Sequence, residues 1–237
     1  MWNGKLKAVT FSIDDGCASD RRIVEIFNKY GIKGTFNINS GLLNTEYEIR
    51  NEKGIVVETI PKIKAYEVQD VYAGHEVAVH TCTHPNLTTL EEKEIIDQVE
   101  EDRKTLSALA GYDIVGMAYP CGGVNNDERV AKILRKYTPI QYARTITSTY
   151  SFDLQENFLQ FNPTIYWIET QLFEIVERFL ALKTDKPQLL YIWGHAFELD
   201  RGDLISYEKL EALCALLSKH DDVFFGTNRE VFNIKYE

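Results

Sequence analysis

The stretch Leu6-Lys-Ala-Val-Thr-Phe-Ser-Ile13, followed directly by Asp14-Asp15-Gly16, decides the fold. A run rich in Val, Thr, Phe and Ile that stops at turn residues is typical of a buried β-strand. After it, short apolar runs alternate with amphipathic stretches of helical period, which is the pattern of repeated βα units. Strands are predicted at residues 8–13, 34–39, 76–80, 115–119, 141–146, 189–193 and 223–225. Seven strands separated mostly by helices favour an α/β barrel.

Residues that start and end helices occur between these strands. Ser19 or Asp20 can cap a helix that stops at Gly31, since short polar side chains start helices and glycine ends them. The spacing Thr88-Thr-Leu-Glu91 predicts a capping box at the start of a helix that ends at Gly111. Further helices are predicted at residues 127–137, 169–183 and 207–219.

The segment 46–64 departs from the alternation of strands and helices. Its Asn51-Glu-Lys-Gly54 turn lies between two short β-prone runs, so an inserted hairpin is predicted near residues 46–64. The chain has 237 residues, of which 44% are hydrophobic, and this is enough for one barrel-sized core. We therefore expect a single domain over residues 1–237.

Charge and cysteine content limit the function classes. The formal net charge of -10 argues against a nucleic-acid-binding surface, which needs clustered Lys and Arg, and favours neutral or weakly charged substrates. The sequence has no apolar window of about eighteen residues, so no membrane span is predicted. The start of the chain lacks the pattern of a signal peptide. Four scattered cysteines do not suggest a disulfide framework. We expect a cytoplasmic protein with reduced thiols, and the oligomeric state stays open.

Polar residues follow four of the predicted strands. Asp14 and Asp15 follow the first strand, and His80 ends the third. Pro120 follows the fourth strand, and His195 follows the sixth. In parallel α/β proteins the carboxyl ends of the strands form one face, where active sites are usually built. These residues are therefore expected to converge although they lie far apart in the sequence.

Two histidines and an aspartate form a ligand set suited to a divalent metal. His80 and His84, with either Asp14 or Asp15, would leave positions open on the ion, and water bound there ionises near neutral pH. Each motif also has a plain structural interpretation, the aspartates as a turn and the histidines as polar residues of a strand–helix junction. Cys82 is expected to be a packed small side chain. Two further histidines are expected to be surface or structural residues, namely His75 and His220.

Together these motifs resemble those of the NodB-type polysaccharide deacetylases, family four of the carbohydrate esterases. Ser12-Ile-Asp-Asp-Gly16 is similar to the first family motif, Thr-Phe-Asp-Asp-Gly, and residues 74–87, with both histidines, are similar to the second. Tyr119-Pro-Cys-Gly122 resembles the third motif, Arg-x-Pro-Tyr, and His195 looks like the histidine of the last motif. The resemblance implies an α/β fold of a particular kind, a distorted (β/α)7 barrel of the NodB homology type.

The resemblance also implies a role for each matched residue. Asp14 corresponds to the general base of the family, and His195 corresponds to the general acid. The backbone N–H of Cys121 corresponds to the donor that binds the oxyanion. A divalent metal, zinc with cobalt or nickel as alternatives, would be held by Asp15, His80 and His84.

The chain departs from the family pattern in three places. Ala118 stands where the third motif often has Arg, and Arg144, at the end of another predicted strand, is the candidate replacement for orienting the base. Cys121 stands where the third motif has Tyr. The fourth motif, an Asp with Trp, is not recognisable, and Asp153 is the candidate carboxylate for tuning His195.

The sequence thus predicts a metal-dependent deacetylase that hydrolyses the N-acetyl group of an amino-sugar oligo- or polysaccharide and releases acetate. An N-acetylated saccharide is the expected partner, without nucleic acid or membrane. Alternatively, the same site can serve an O-deacetylase, a deformylase or a cyclic-amide hydrolase. A further alternative is a catalytically weak barrel that binds sugar or metal without turnover.

Overall fold

The computed structural model describes residues 1–235. Its strands are β1 (Lys7–Asp14), β2 (Gly34–Ile38), β3 (Glu46–Arg50), β4 (Val56–Pro61), β5 (Glu76–Val79), β6 (Gly116–Ala118), β7 (Tyr142–Arg144), β8 (Ile165–Tyr166), β9 (Gln188–His195) and β10 (Val223–Phe225). Its α-helices are α1 (Asp20–Lys29), α2 (Val68–Val71), α3 (Glu92–Ala110), α4 (Glu128–Tyr137), α5 (Leu172–Leu180), α6 (Ala196–Arg201), α7 (Tyr207–Leu217) and α8 (Asn228–Val231). Helices therefore follow most of the strands, as the βα pattern predicts.

Strand β1 pairs with three other strands of the eight-stranded parallel sheet found in the described residues. The strand order is β7-β6-β5-β2-β1-β9-β8, and β10 pairs with the first part of β1. Strand β9 pairs with β1 along its whole length, from Lys7 beside Gln188 to Asp14 beside His195. This register brings Asp14 and His195 next to each other at the carboxyl ends of two adjacent strands.

The sheet curls, and an irregular stretch of chain connects its two sides. The N–H of Phe161 donates to the carbonyl of Ala143 at 2.9 Å, and the N–H of Thr164 donates to the carbonyl of Tyr191 at 2.8 Å. Strand β8 continues this stretch by pairing with β9. The distorted (β/α)7 barrel predicted from the sequence is confirmed.

The two faces of β1 differ, since one packs into the main apolar core and the other becomes polar after Ala8, toward the carboxyl end of the strand. All eight residues of the strand are buried, as expected for a parallel strand covered on both faces. Val9, Phe11 and Ile13 belong to the main apolar core. Thr10 and Ser12, on the other face, make hydrogen bonds with buried asparagine side chains. That polar face ends at the carboxyl end of the strand, where the candidate site lies.

All seven predicted strands are present, with ends that differ by at most two residues. Strand β8 was not predicted, because two residues are too few to give an alternating pattern. Strands β3 and β4 pair with each other in antiparallel orientation, and they occupy most of the segment 46–64.

Two helix predictions were wrong in detail. Helix α3 begins at Glu92 rather than near Thr88, and its capping box is formed by Glu91 and Glu94. The Asn86 side chain accepts the N–H of Thr88 and stabilises a separate 3-10 turn before the helix. Helix α5 is shorter than residues 169–183, because the backbone before it is folded into a turn.

No helix within residues 1–235 is both long and apolar enough to cross a membrane. The cysteines are free thiols, at positions Cys17, Cys82, Cys121 and Cys214. The cytoplasmic location stays a prediction.

Candidate active site

The three predicted metal ligands lie together at the carboxyl ends of β1 and β5. The Nε2 atom of His80 is 3.8 Å from Oδ1 of Asp15, and the Nε2 atom of His84 is 3.5 Å from the same oxygen. One ligand atom from each residue lies within 4.8 Å of the other two. Asp15 and His84 have positive φ values, 83° and 62°. Such backbone conformations are costly for residues other than glycine and cluster at functional sites.

The protonation of these side chains fits a divalent metal. Burial lowers the pKa of His80 to about 4, and burial also lowers the pKa of His84. Burial opposes ionisation of Asp15, but the charges of Lys62 and the nearby histidines outweigh it and lower the pKa of Asp15 to about 2. All three side chains are therefore unprotonated at neutral pH, as metal ligands must be.

The orientation of His80 also fits this use. Its Nδ1 is 2.9 Å from the carbonyl oxygen of Ala118, which assigns the ring proton to Nδ1 and leaves the lone pair of Nε2 facing Asp15. Its backbone N–H donates to Oδ2 of Asp102 at 3.0 Å. The residue is held at both its backbone and its ring.

Asp14, the candidate base, is buried between two side chains. Asn37 Nδ2 donates to Oδ1 of Asp14 at 2.8 Å, and Arg144 forms an ion pair with Oδ2. Arg144 is completely buried and lies beside Ala118 in the register of β6 and β7. Its Cζ is 4.5 Å from the centre of the Trp193 ring. The arginine thus reaches Asp14 from the strand next to the one that carries Ala118.

Replacing Arg144 with methionine is expected to destabilise the protein by about 3–5 kcal/mol, because it leaves Asp14 as one member of a buried ion pair without its partner. Chemical denaturation measures the loss. The matched control is Arg201→Met, which breaks a partly exposed ion pair with Glu58 and is expected to cost about 0–1 kcal/mol. Equal losses of stability in the two variants would contradict the expectation that breaking the buried pair of Asp14 and Arg144 costs more than breaking a partly exposed one.

His195 ends β9, and its partner is Glu198 in α6. Nδ1 of His195 is 3.0 Å from Oε1 of Glu198, and the backbone N–H of His195 donates to Oε2 at 3.0 Å. Trp167 Nε1 donates to Oε2 at 2.6 Å, and the Tyr166 hydroxyl donates to Oε1. Burial opposes the charged form of His195, but the hydrogen bond and charge of Glu198 outweigh this effect and raise the pKa of His195.

The prediction that Asp153 tunes His195 is wrong. Asp153 is exposed, and its carboxylate lies 2.8 Å from Lys186 Nζ and 2.9 Å from Gln188 Nε2. Gln188 begins β9 whereas His195 ends it, so Asp153 lies at the opposite end of that strand. Glu198 takes the position instead, from a capping box at the start of α6. The spacing His195-x-x-Glu198 is that of a capping box, so the sequence could have indicated Glu198 as the partner of His195.

Replacing Glu198 with glutamine is expected to move the alkaline limit of activity to lower pH, because Glu198 raises the pKa of His195. The amide removes the negative charge that raises the pKa of His195, and a general acid works only while protonated. The pH dependence of kcat/KM measures the shift. Glu169→Gln is the control, since Glu169 accepts the N–H of Tyr166 and does not contact His195 in the described structure. An unchanged alkaline limit in Glu198→Gln would contradict the pairing.

Cys121 lies at the edge of the same site with a positive φ of 68°. Its thiol donates to the carbonyl of His84 at 3.4 Å. Burial raises the pKa of this thiol, which therefore stays protonated at neutral pH. In the described part of the chain, no hydrogen-bond acceptor binds the backbone N–H of Cys121.

A cavity of about 380 Å³ joins these groups. No Lys or Arg side chain of the described residues is among those that line it, although two aspartates are. Its lining residues are Asp14, Asp15, His80, His84, Tyr119, Cys121, Gly122, Ile146, Tyr166, Trp193 and His195. The structure thus brings Asp14, Asp15, both histidines of the second motif, Cys121 and His195 to one cavity, with Arg144 directly behind Asp14.

Several supporting residues were not predicted. Asn37 and Lys62 hold the two aspartates, the latter by donating from Nζ to the backbone oxygen of Asp15 at 2.9 Å. No spacing in the sequence indicates either of them. His75 is structural as expected, since its Nδ1 accepts the N–H of Gly34 at 3.1 Å.

The fold and the site together define the class of this protein. It is an α/β barrel with a candidate metal centre at the carboxyl ends of its strands. Residues 3–139 of the chain match the polysaccharide deacetylase family. The chain belongs to this family.

Three known proteins illustrate the likeness. The chain is 26% identical over 127 residues to the peptidoglycan-N-acetylmuramic acid deacetylase PdaC of Bacillus subtilis, and the match covers 54% of this chain and 24% of that protein. The fold is similar to a family 4 acetyl xylan esterase from Clostridium thermocellum in complex with a cobalt ion, with a TM-score of 0.59, 14% identity and coverage of 96% of this chain and 91% of that one. It is also similar to a CE4 family pseudoenzyme from Bacillus anthracis, with a TM-score of 0.58, 20% identity and coverage of 98% and 67%. The chain thus spans about a quarter of the length of the curated relative.

Proposed function

We propose that this protein is a metal-dependent deacetylase that hydrolyses the N-acetyl group of an amino-sugar oligo- or polysaccharide. The observation that carries the proposal is the arrangement around one cavity. An aspartate fixed by Arg144 and a histidine fixed by Glu198 lie on neighbouring strands, beside the group Asp15, His80 and His84. This arrangement supplies a base, an acid and a ligand set within reach of one substrate group.

In the proposed reaction, the residues that line the cavity have separate roles. A divalent metal held by Asp15, His80 and His84 would polarise the amide carbonyl and acidify the attacking water. Asp14 accepts the proton of that water, and the ion pair with Arg144 keeps its carboxylate oriented.

The leaving nitrogen and the oxyanion are served from other sides of the cavity. His195 protonates the leaving nitrogen, and Glu198 fixes the ring by its contact with Nδ1. The backbone N–H of Cys121 donates to the oxyanion as the carbonyl carbon becomes tetrahedral. The missing aromatic side chain at this position does not affect that donation, because it comes from the backbone.

Zinc is the proposed metal, because two imidazoles and one carboxylate with open positions are a typical catalytic zinc set. Cobalt and nickel accept the same ligands. The similar acetyl xylan esterase holds a cobalt ion.

A neutral amino sugar is the proposed substrate. The cavity lining contains no Lys or Arg side chain among the described residues, and two aspartates are part of it, so apart from the proposed metal and His195 the lining does not favour an anionic sugar. Tyr119, Tyr166 and Trp193 offer apolar and aromatic surface on which a sugar ring packs. The name of the Bacillus subtilis relative, which describes an N-deacetylase of peptidoglycan, agrees with an N-acetylated saccharide.

This function is tested by incubating the zinc-loaded protein with a panel of substrates and measuring the acetate or formate released. The panel contains N-acetylated chito-oligosaccharides, O-acetylated xylo-oligosaccharides and an N-formylated amino sugar. The proposal predicts acetate mainly from the first group. Faster release from the xylo-oligosaccharides indicates an O-deacetylase, and formate from the last substrate indicates a deformylase. Saccharide binding without any release would show a catalytically weak barrel.

A further inference from the structure

The turn that presents Cys121 is held by a buried asparagine outside the metal ligands. Asn125 is completely buried. Its Nδ2 donates to three successive carbonyl oxygens, those of Tyr119 at 3.3 Å, Pro120 at 3.1 Å and Cys121 at 2.8 Å. One side chain therefore fixes the carbonyl oxygens before, at and after the peptide bond that carries the Cys121 N–H.

The geometry of that peptide bond decides where the N–H of Cys121 points. The carbonyl of Pro120 and the N–H of Cys121 belong to one rigid plane, and in a trans peptide they point in opposite directions. Because Asn125 holds the carbonyl on the interior side, the N–H is directed to the other side. Cys121 lines the cavity together with Asp15 and His84, and no residue of the described chain accepts its N–H.

The turn needs such a restraint. Cys121 has a φ of 68°, in the left-handed region, and that conformation is strained for a residue with a side chain. Gly122 and Gly123 follow it, and both are exposed. Without the bonds from Asn125, rotation of the Pro120–Cys121 peptide plane would relieve the strain and turn the N–H away from the cavity.

The orientation of the Asn125 amide is itself fixed. Asn126 Nδ2 donates to Oδ1 of Asn125 at 2.9 Å, and Gln160 Nε2 donates to Oδ1 of Asn126 at 2.9 Å. The oxygen of Asn125 is thus occupied by a donor, which leaves Nδ2 for the three carbonyls.

We propose that Asn125 is a positioning residue that aims the Cys121 N–H at the oxyanion of the substrate. It touches neither substrate nor metal and acts through the peptide plane. This inference rests on the proposed function, because it assigns the Cys121 N–H to the oxyanion.

The test is Asn125→Ala, with Asn86→Ala as the matched control. Asn86 Nδ2 donates to the carbonyl of Val124 at 3.0 Å, so it anchors the same loop without touching the Pro120–Cys121 peptide. With a substrate that the wild type hydrolyses, Asn125→Ala is expected to lose about 10²-fold in kcat, the typical cost of one oxyanion donor. KM and zinc affinity are expected to stay unchanged, and Asn86→Ala is expected to keep the wild-type kcat. Equal losses of kcat in the two variants, or none in Asn125→Ala, would overturn the proposal.

A second readout does not depend on turnover. In zinc-loaded wild-type protein, acetate, the product, is expected to shift the amide proton resonance of Cys121 downfield, and in Asn125→Ala this shift is expected to be lost. If the shift seen in the wild type persists in Asn125→Ala, the role of Asn125 is overturned. If acetate causes no shift in the wild type, the Cys121 N–H is not the oxyanion donor and the proposal is overturned.

If Asn125→Ala does not fold, Asn126→Ala replaces it, because loss of the Asn126 side chain frees the Asn125 amide. That variant is expected to show a smaller loss of kcat and of the shift, and wild-type behaviour in both would overturn the proposal. A wild type that releases no acetate from any saccharide contradicts the proposed function alone.

Discussion

His80→Ala is expected to bind zinc too weakly for stoichiometric loading and to lose at least about 10³-fold in turnover, because carbonyl polarisation and water acidification both disappear with the metal. The side chain is buried, its Nε2 lies 3.8 Å from Oδ1 of Asp15, and its Nδ1 is fixed by the carbonyl of Ala118. Because burial lowers its pKa to about 4, it offers a free lone pair throughout the neutral range. Elemental analysis of zinc per chain, together with acetate release, measures both effects.

The matched control for His80→Ala is His75→Ala. His75 is also a buried histidine, but its ring binds the N–H of Gly34 and the side chain of Asn28. The His75→Ala variant is expected to lose stability and to keep one zinc per chain. His84→Ala, at a half-buried position, repeats the test where folding is less at risk. Full zinc loading in both His80→Ala and His84→Ala would contradict the metal site.

Asp14→Asn is expected to lose about 10²–10⁴-fold in kcat while zinc binding stays, since an amide cannot accept the proton of the attacking water. The substitution keeps the size of the side chain. It also removes the charge that faces Arg144, so some loss of stability is expected in addition. The kinetic constants and the zinc content, measured on the same preparation, separate loss of the base from loss of the metal.

Asp20→Asn is the matched control for Asp14→Asn. Asp20 is equally buried and accepts the Tyr72 hydroxyl at 2.6 Å. Burial raises its pKa to about 8, so at neutral pH it is already mostly uncharged. Its amide variant is expected to resemble the wild type in kcat. An undiminished kcat in Asp14→Asn would remove Asp14 from the role of base.

The sequence predicts the fold because its strongest pattern is also its most buried one. Strand β1 alternates apolar with polar residues, is buried at every position and has strands paired on both of its edges. Polar residues directly after such strands must meet at one face of a parallel barrel, which is why Asp14, His80 and His195 could be placed together from sequence alone. Short elements such as β8 escape this reasoning, because their position depends on partners far away in the chain.

The supporting residues were harder to predict because their roles depend on register. Arg144 could be proposed only as a candidate, since its contact with Asp14 depends on the pairing of β6 with β7. Asn37 lies in a buried strand, and its hydrogen bond to Asp14 exists only through the pairing of β2 with β1. Asp153 was the wrong carboxylate for His195, because distance along the chain says nothing about which end of β9 a residue reaches.

The most direct test of the account is a zinc titration of metal-free protein, with acetate release from an N-acetylated chito-oligosaccharide as the readout. The account predicts no release without metal and a rate that rises in proportion to zinc until one equivalent per chain is bound. The same titration of His80→Ala is expected to stay flat. Acetate release that does not depend on added metal, or zinc saturation without any acetate release, would contradict it.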